Sequence, residues 1–565
     1  MLIASQSSDS GLSGMGCPIA FKIFNDKVYS AGGTTTGSVY YGSSGAELHN
    51  GYTIDSTSNA PSNMDSKFSD LEVSSGDLYA TGNDKLYKCI AGAWSVNTGS
   101  LGASQVHMMT SYAGRLYFTD VGSQIKSIDS DTNQGSTTIG TIASAPSQYA
   151  IQFKNTNANQ ITFIRSSANR IWVGTVNTLG GKGYIYSWDG SSSTATASYR
   201  LDASGALACV IKDDTPWVVD TNGNLLAWNG ASFQIVTQLY RYNRKMLKNA
   251  TYSQNTRFIH PNGMSVVDNK INILINNLNN DSGGTIEETI SSGIWEYDPG
   301  NPSAGIPAKG LYHKASLGLS TSGGSITDYG QNRLSQVGAL SELITPTVGA
   351  YSGSQNGKFL AGATFFTDQS TTRSGVFYDD TNDTLQKAGY FVTTKIQTGN
   401  ITEIWQTVFA KFKPLANTSD RIVLKYRVDE ADPTPMNITY TSTTTFTTTD
   451  ANMANYAVGD EVEITQGVGS GMCSHITVIT NNAGTYTVTV DETHTGATTQ
   501  TAKARLNKWI KMSELTSNTT ARFVDEKFKI GATSPWVQLK VWMVWTGPRQ
   551  IDEIQLQTKS SQDAK

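Results

Sequence analysis

The chain has 565 residues, of which 16% are charged, and its formal net charge is −4 at pH 7. Ordinary soluble domains carry about 25% charged residues, so this surface relies on hydroxyl, amide and tyrosine groups. The small negative charge argues against a protein whose main task is to bind nucleic acid. Because the length exceeds what one hydrophobic core supports, two or more domains are expected.

The start of the chain, its apolar runs and its cysteines bear on location. Residues 1–9 lack the basic start and the apolar stretch of a secretion signal. No apolar run approaches the about 18 residues that a membrane span needs. We therefore expect assembly in a cytoplasm and no membrane span. Four cysteines lie far apart without a CxxC pair, which favours buried free thiols over a disulfide framework or a zinc site: Cys17, Cys89, Cys209 and Cys473.

Up to about residue 380, a short unit recurs in which a polar turn precedes an aliphatic and aromatic strand. Its copies lie at 25–29, 76–79, 114–118, 169–173, 213–218, 268–273 and 356–360. A second unit follows most copies and has alternating aromatic and small residues that end in a turn. Its copies lie at 184–190, 225–230, 293–299, 375–380 and, more weakly, 86–90. A period-two pattern closed by Asn-Gly or Asp-Gly predicts a hairpin with a tight primed turn, since these residues tolerate positive φ.

The spacing of these units, roughly 40 to 55 residues, matches one four-stranded propeller blade. We therefore predict that residues 1–383 form a β-propeller of six to eight blades, with seven favoured. The gap between Ile271 and Phe359 is wide enough to hold one further blade.

After about Asp383 the rhythm changes to longer strands that alternate as half-buried strands do. They predict a β-sandwich made of residues 384–432 and 506–565. Residues 433–505 differ, because they begin with a proline-rich segment and a threonine tract and continue with short strands joined by glycine-rich turns. We expect a small inserted β-barrel there, since insertion into a loop costs little closure entropy.

The carboxy-terminal region also carries a family resemblance. Four segments look like the terminal sandwich of phage tail proteins: Gly-Tyr-Phe-Val-Thr-Thr-Lys-Ile at 389–396, Phe-Lys-Pro at 412–414, Lys-Tyr-Arg-Val-Asp at 425–429 and Trp-Val-Gln-Leu-Lys-Val at 536–541. The glycine-rich run at 456–471 resembles another module common in these proteins. In short-tailed phages, a similar propeller-bearing subunit forms the nozzle as a ring of identical copies.

The resemblance implies a structural subunit of a bacteriophage tail, a nozzle or tail-tip component of the virion without enzymatic activity or cofactor. Its partners would be its own copies in a homo-oligomeric ring, together with adaptor and fibre proteins, and DNA would pass without specific binding. The alternative is a tail-fibre propeller that binds or hydrolyses host surface glycans during adsorption. No Asp-box of the sialidase type, Gly-x-Ser-x-Gly elbow or Walker loop occurs in the sequence.

Three patterns are candidate binding sites for a sugar or a metal ion. The aromatic residues of the second unit are interpreted as blade core, with a sugar platform as the alternative: Tyr184, Trp188, Trp228, Trp295 and Tyr297. Cys473 and His475 share one strand but lack a second close pair of ligands, so no zinc site is predicted. Residues 129–135 resemble a calcium loop whose glycine is displaced, and an ordinary polar turn is favoured.

Two groups of residues are candidate interfaces. A basic cluster interleaves aromatic and cationic side chains: Tyr240, Arg241, Arg244 and Lys245. It can contact nucleic acid, form a solvated excursion of the chain or dock on an acidic neighbouring subunit, and the net charge favours the latter two. The strand at 536–545 is apolar on both faces and includes Trp536, Trp542 and Trp545. A strand with one face in water alternates, so the insert, the propeller or another subunit is expected to cover the second face.

Overall fold

The computed structural model describes part of the chain. The described residues are 3–4, 17–25, 27–33, 37–42, 53–54, 60–64, 70–82, 85–97, 101, 107–121, 123–129, 135–136, 139–145, 148–153, 159–239, 259–276, 293–300, 310–315, 333–342, 359–366, 372–379, 388–393, 396–397, 403–412, 421–428, 435–467, 473–491, 500–506, 509–516, 524–544 and 551–560. None of them lies in an α-helix, and the only helical turn among them is a 3₁₀ helix at Ala451–Asn455. The prediction of an all-β protein is confirmed.

Seven antiparallel sheets follow one another along the first two thirds of the chain, and we call them blades 1 to 7. Blade 1 contains β2 (Cys17–Phe24), β3 (Lys27–Gly33), β4 (Gly37–Gly42), β5 (Thr53–Ile54) and β6 (Ser62–Met64); blade 2 contains β7 (Leu71–Ser74), β8 (Asp77–Thr81), β9 (Leu86–Ile90) and β10 (Ala93–Asn97); blade 3 contains β11 (Met109–Tyr112), β12 (Arg115–Asp120), β13 (Gln124–Asp129) and β14 (Ile151–Gln152); blade 4 contains β15 (Asn159–Ser166), β16 (Ile171–Asn177), β17 (Tyr184–Trp188) and β18 (Ala197–Arg200).

The remaining blades have the same strand order. Blade 5 contains β19 (Ala206–Lys212), β20 (Thr215–Asp220), β21 (Asn224–Trp228) and β22 (Phe233–Gln238); blade 6 contains β23 (Met264–Val267), β24 (Lys270–Ile275), β25 (Gly293–Asp298) and β26 (Gly310–Ala315); blade 7 contains β27 (Arg333–Glu342), β28 (Phe359–Phe366) and β29 (Thr372–Asp379), and its outermost strand is β1 (Ile3–Ala4).

The first strands of the seven blades contact one another in a closed cycle, from β2 through β7, β11, β15, β19 and β23 to β27 and back to β2. Such a ring of four-stranded sheets is a β-propeller. Pairing of β1 with β29 joins the start of the chain to the last blade. Blades 1 and 7 also approach closely, because a Cβ on Gly338 would lie 1.7 Å from the Pro18 carbonyl oxygen and one on Gly362 would lie 2.0 Å from it.

Both sequence units fall on fixed positions in the blades. All seven copies of the first unit form the second strand of a blade, and all five copies of the second unit form a third strand. The wide interval between Ile271 and Phe359 includes β25, β26 and β27. The further blade allowed there is absent from the described ring, since the first strands of blades 6 and 7 are in direct contact.

The hairpin turns differ from the prediction in place. Two-residue turns with both φ angles positive join first and second strands, as at Ser75 and Gly76 or at Asp213 and Asp214. The predicted primed turn after Trp188 is wrong, since β18 begins only at Ala197. There the Asp189 carboxylate accepts backbone N–H bonds from Ser191 and Ser192, both of 2.8 Å. An Asx turn therefore replaces the tight hairpin.

The hydrophobic core of the propeller lies between neighbouring blades. Its largest cluster joins buried side chains of blades 3 to 6, such as Tyr117, Ile171, Val219 and Ile273. Each blade thus covers the apolar face of the next, and burial of these faces stabilises the ring as a whole.

Beyond the propeller, two antiparallel sheets share one core, and we call them the two-sheet region. The first has β30 (Ala388–Val392), β42 (Trp536–Val544), β33 (Arg421–Arg427) and β40 (Ile510–Thr516), with β31 (Ile396–Gln397) also paired to β42; the second has β41 (Val524–Thr533), β32 (Glu403–Phe412) and β43 (Ile551–Ser560). Trp405 and Val408 of the second sheet belong to the same buried cluster as Leu424 and Leu539 of the first.

Six further strands close into a small barrel. In their order around the barrel they are β34 (Met436–Ser442), β35 (Thr445–Thr448), β38 (Thr485–Val490), β37 (Cys473–Asn482), β36 (Glu461–Gly467) and β39 (Thr501–Leu506). The alternation of β34 explains its position, because Met436, Ile438 and Tyr440 point into the core while the residues between them face outward. The predicted domain boundaries at 383 and 432 lie outside the described residues, and the predicted end of the insert at Arg505 falls within β39.

Candidate functional site

A polar network crosses the centre of the propeller, and we call Asp70, Arg165 and Asn262 the axial network. The Asn262 amide donates to the Asp70 carboxylate and to the Ile19 carbonyl, each at 2.9 Å. Arg165 donates to the Asn262 side-chain oxygen. It also donates through Nε to the Cys209 carbonyl at 3.2 Å.

The axial network reaches every blade. The second carboxylate oxygen of Asp70 accepts the backbone N–H of Met109 in blade 3 at 3.0 Å. The Asn262 carbonyl accepts the N–H of Leu340 in blade 7 at 2.8 Å. Together with the contacts to Ile19 of blade 1 and Cys209 of blade 5, the bonds connect the first strand of each blade or the residues just before it. Blades 7 and 1 lie between blades 6 and 2 in the ring, so the bond between Asn262 and Asp70 spans the interior of the ring.

Burial sets the electrostatics of Asp70, whose exposed fraction is 3%. Burial raises the pKa of this carboxyl, and the Arg165 charge and the N–H of Met109 oppose the rise. All three contacts of the carboxylate with Leu71, Met109 and Asn262 are N–H donors. The group therefore serves as a hydrogen-bond acceptor for backbone and amide N–H donors, an arrangement that holds the segments carrying these donors together.

Threonines at the ends of second strands repeat a smaller version of this contact. The Thr81 hydroxyl accepts the N–H of Asp70 at 2.9 Å and donates to the His107 carbonyl at 2.6 Å. Thr119 accepts the N–H of Met108 at 2.9 Å, and Thr221 accepts the N–H of Gly205 at 3.2 Å. In three blades a hydroxyl thus ties the end of the second strand to the start of the first.

The buried cysteines fit the interpretation as free thiols. Cys17, Cys89 and Cys209 are buried and unbridged. Burial raises the pKa of Cys17 and of Cys209 to about 12, so neither thiol is a ready nucleophile at neutral pH. The side chain of Cys473 lies outside the described part of the structure.

The aromatic residues considered as a sugar platform mostly pack inside the propeller. Trp188, Trp295 and Tyr297 are buried. The Trp188 ring meets Tyr117 edge-on at 5.5 Å between centroids. Trp228 is half-buried, and its ring contacts those of Tyr199, Trp172 and Phe233. Tyr184 is half-buried beside Tyr186.

A second group of charged side chains lies where the barrel meets the two-sheet region, and we call Lys425, Lys540, Glu461, His475 and Asp491 the junction cluster. Lys425 donates to one oxygen of Glu461, and Lys540 donates to the other at 3.0 Å. The side chains of Lys425 and Glu461 are fully buried, and that of Lys540 is 6% exposed. His475 Nδ1 lies 3.1 Å from Asp491, and its Nε2 lies 3.9 Å from Glu461.

The charges of the junction cluster determine its chemistry. Burial by itself raises the pKa of Glu461, but the Lys425 and Lys540 ammonium groups outweigh burial and hold that pKa well below its usual range. The hydrogen bonds from His475 likewise hold the pKa of Asp491 below its usual value, against the effect of burial. A carboxylate of such low basicity is a poor proton acceptor, so the arrangement suits a structural contact between domains.

The candidate interface residues are only partly described. Tyr240, Arg241, Arg244, Lys245 and Trp545 lie outside the described residues. Trp536 is half-buried, and Trp542 belongs to β42, where only its backbone is described. Along β42, Val537, Leu539 and Val541 face the shared core. Gln538 and Lys540 point to the other side and are buried as well, and Lys540 meets the barrel there. Their roles as assembly contacts stay predictions.

The two sequence patterns considered as metal sites are partly described in the structure. His475 contacts Asp491 and Glu461, both of which are already held in the junction cluster. Asp129 ends β13 and pairs with Arg115 at 3.6 Å, whereas 130–134 lie outside the described residues. No group of three or more metal-ligating side chains occurs in the described part of the chain.

Sequence reasoning missed both polar clusters. Asp70 and Asn262 precede first strands, whereas the recurring units mark second and third strands. One usable signal was a threonine at or next to the end of a second strand, as at Thr81 and Thr119. For the junction cluster, the signal was a lysine within each of two strands that otherwise alternate toward a core, Lys425 and Lys540.

The chain resembles solved structures only at low sequence identity. No protein-family model matches the chain, and no curated protein gives a significant match. The crystal structure of the computationally designed Ika8 protein aligns with 67% of this chain and 99% of its own length, at 13% identity and a TM-score of 0.35. The WD40 β-propeller domain of Doa1 aligns over the same shares, at 11% identity and a TM-score of 0.37. The propeller assignment rests on the closed ring of blades described above.

Among the described residues there is no helix of sufficient length and apolar character to cross a bilayer.

Proposed function

We propose that this chain is a structural subunit of a bacteriophage tail, a nozzle or tail-tip component that acts by assembly with neighbouring tail proteins. The resemblance of residues 384–565 to tail proteins motivates the proposal. The structural observation that supports the proposal is the axial network. Asp70, Arg165 and Asn262 occupy the centre of the ring and are bonded to all seven blades. Polar groups that could recognise a ligand at the axis therefore hold the scaffold together.

The finer architecture belongs to the same proposal. We take the two-sheet region as a β-sandwich formed by 384–432 and 506–565, with the barrel as its insert at 433–505. The core shared by Trp405, Leu424 and Leu539 supports the sandwich, and the closed order of β34 to β39 supports the barrel. Residues 1–383 form the propeller.

The working form in this proposal is a homo-oligomeric ring in the virion, assembled in the host cytoplasm. Its neighbours are adaptor and fibre proteins, and DNA passes without specific binding. Electron microscopy of purified virions with an antibody against this chain tests the location. Label at the tail tip is the expected result, and label elsewhere on the particle would contradict the proposal.

The candidate interface residues have a separate test. Replacing Trp542 or Trp545 by Ser in the virus is expected to lower the number of copies per tail, because a large apolar side chain is lost from an assembly surface. Circular dichroism of the isolated variants checks that the fold survives. Normal copy number in tails built from a folded variant would remove this strand from the interface.

One feature favours the second candidate function, glycan binding, and it lies on the barrel. A cleft of about 500 Å³ is lined by threonines of four strands, including Thr439, Thr447, Thr485 and Thr501, with Lys503 beside them. Threonine hydroxyls both donate and accept hydrogen bonds, as sugar hydroxyls require. In register, Thr439 pairs with Thr501 on one side and with Thr447 on the other.

A glycan array with the full chain tests this candidate. Binding that is lost in the double variant Thr439→Val, Thr447→Val would support it, because valine keeps the shape and removes the hydroxyls. Thr215→Val, in the propeller, serves as the matched control. If no glycan on the array is bound, the glycan-binding candidate is rejected and only the tail-scaffold proposal remains.

A further inference from the structure

The face of the first sheet that points away from the shared core is where the barrel is held. Lys425 and Lys540 are paired in register on the adjacent strands β33 and β42. Their strand neighbours Leu424 and Leu539 point into the shared core, so the two lysines point to the opposite side. There each lysine meets one oxygen of Glu461, the first residue of β36 in the barrel.

We propose that the junction cluster is a latch that fixes the orientation of the barrel, so that the barrel and the two-sheet region move as one rigid body. This inference concerns the mechanics of the carboxy-terminal region and holds or fails independently of a tail function.

Contacts within the barrel hold Glu461, the acceptor of the latch, in place. Glu461 pairs in register with His475 on the next barrel strand. The backbone N–H of His475 donates to Asp491 at 2.7 Å, and its ring lies against the same carboxylate. The carboxylate that receives the two lysines is thus attached to a short rigid part of the barrel.

An aromatic ring shields the latch from water. Trp509, 1% exposed, lies between β39 of the barrel and β40 of the first sheet. Lys540 Nζ lies 5.5 Å from the centre of its ring, and the Arg427 guanidinium lies 4.7 Å from it. Arg427 in turn donates to Gln538 at 2.8 Å.

Because the junction cluster is shielded from water, its main effect is on the orientation of the barrel and not on net stability. A buried ion pair adds little net stability, because desolvation offsets much of its attraction. A tilted barrel, however, would keep two ammonium groups buried while moving their shared carboxylate away. Separating buried groups of opposite charge is costly, so the orientation that places the two oxygens of Glu461 on the two lysines is favoured.

The strand β36 offers a matched control. Glu463 lies two residues beyond Glu461 and uses a single oxygen, Oε2, to accept both Nε (3.0 Å) and Nη2 (2.8 Å) of Arg505 within the barrel. Glutamine can reproduce a contact made through one oxygen. At Glu461 the two oxygens serve different lysines, so glutamine must turn its NH₂ group toward one ammonium group.

Time-resolved fluorescence anisotropy of a dye on the barrel tests the latch in the full chain. The dye is attached at Asn482→Cys, an exposed position at the far end of β37 from His475, in a Cys473→Ser background. The parent is expected to show the slow decay of the whole chain. Glu461→Gln is expected to add a component with a several-fold shorter correlation time, and Glu463→Gln is expected to match the parent.

A slow decay in folded Glu461→Gln, equal to that of the parent, would overturn the proposal, as would an equal fast component in Glu463→Gln. If Glu461→Gln does not fold, Lys540→Met takes its place, since it retains the buried pair of Lys425 and Glu461. It is expected to show the fast component at smaller amplitude, and a decay identical to the parent would refute the latch.

Discussion

Two buried carboxylates, Asp70 at the propeller axis and Glu461 at the barrel junction, have pKa values displaced in opposite directions. Both are at least 97% buried by their exposed fractions of 3% and 0%. Asp70 is met by the N–H groups of Leu71, Met109 and Asn262, with one cation, Arg165, in the network. Glu461 is met directly by two ammonium groups. Equal burial therefore produces opposite electrostatics, and the charge of the immediate partners decides the sign.

The same difference separates the way each region is held. In the propeller, the axial network spreads its bonds over seven blades, and threonines such as Thr81 and Thr119 add local ties. At the junction, Lys425 and Lys540 both donate to the single carboxylate of Glu461. We therefore expect a single substitution to affect the junction more than the axis.

The largest effect is expected for Glu461→Gln. Removing one partner of a buried ion pair typically costs about 3 to 5 kcal/mol, because a buried charge is left unpaired. Pulsed hydrogen exchange at increasing urea concentrations gives the unfolding midpoint of peptides from β36 and β42. The shift of this midpoint in the variant measures the change. Glu463→Gln should shift the midpoint less, since the Glu463 side chain is 20% exposed and a glutamine oxygen can still accept from Arg505, whereas Glu461 is fully buried. Equal shifts in the two variants would show that the junction has no special dependence on Glu461.

Asn262→Ala comes next, in the propeller. The substitution removes one donor from Asp70, one from the Ile19 carbonyl and the acceptor of Arg165. Hydrogen bonds to charged groups contribute about 1.5 to 3 kcal/mol each, and remaining contacts of Asp70 and Arg165 limit the loss to about 2 to 3 kcal/mol. Thermal unfolding of the propeller measures it.

Asn229→Ala is the control for the axial prediction. Asn229 is exposed, and its side-chain oxygen accepts the N–H groups of Ala231 and Ser232 in its own turn. Its loss should cost about 1 kcal/mol or less. If Asn262→Ala were no more destabilising than Asn229→Ala, the axial network would not hold the ring.

The threonine ties give the next smaller effect. Thr81→Val keeps the side-chain shape but leaves the buried N–H of Asp70 and the His107 carbonyl without this hydroxyl. An unsatisfied buried donor costs about 1 to 3 kcal/mol, and the lower half of that range is expected here. Thr215→Val should cost less, because Thr215 is half-buried and its hydroxyl donates at 3.4 Å to the Asp213 carbonyl of its own turn. Thermal unfolding orders the two variants, and the reverse order would contradict this account.

The sequence predicted the blades better than it predicted the polar clusters, for a physical reason. The second and third strands recur because each blade needs the same apolar surface for its neighbours, as Ile171 and Ile273 show. The axial contact between Asp70 and Asn262 joins residues 192 positions apart, and neither lies in a recurring unit. Only closure of the ring brings them together, so local periodicity cannot reveal them.

The junction shows the same limit in a different form. The alternation of β42 indicated that both of its faces are covered, but the sequence left the insert, the propeller and another subunit as alternatives. Lys540 pairs with Glu461 in the barrel, which settles the cover at that position. The pairing depends on how the insert folds back, and the strand pattern carries no information about that.

The smallest expected effect is that of mild acid on the junction. The pKa of Glu461 is lowered in the folded protein, so its contribution to stability is present above the unfolded value of 4.5 and is lost as pH falls through the lower folded value. The groups that face it are Lys425, Lys540 and His475, with Asp491 behind the histidine.

The destabilisation caused by Glu461→Gln should therefore not shrink between pH 7 and pH 5. Urea midpoints of the parent and the variant, measured by pulsed hydrogen exchange at both pH values, provide the check, with Glu463→Gln as the reference for general acid effects. A difference that shrinks by half or more at pH 5 would mean that Glu461 takes up a proton in that range. The two lysines would then not control its ionisation, and the contrast with Asp70, whose raised pKa makes its contribution diminish as pH rises, would disappear.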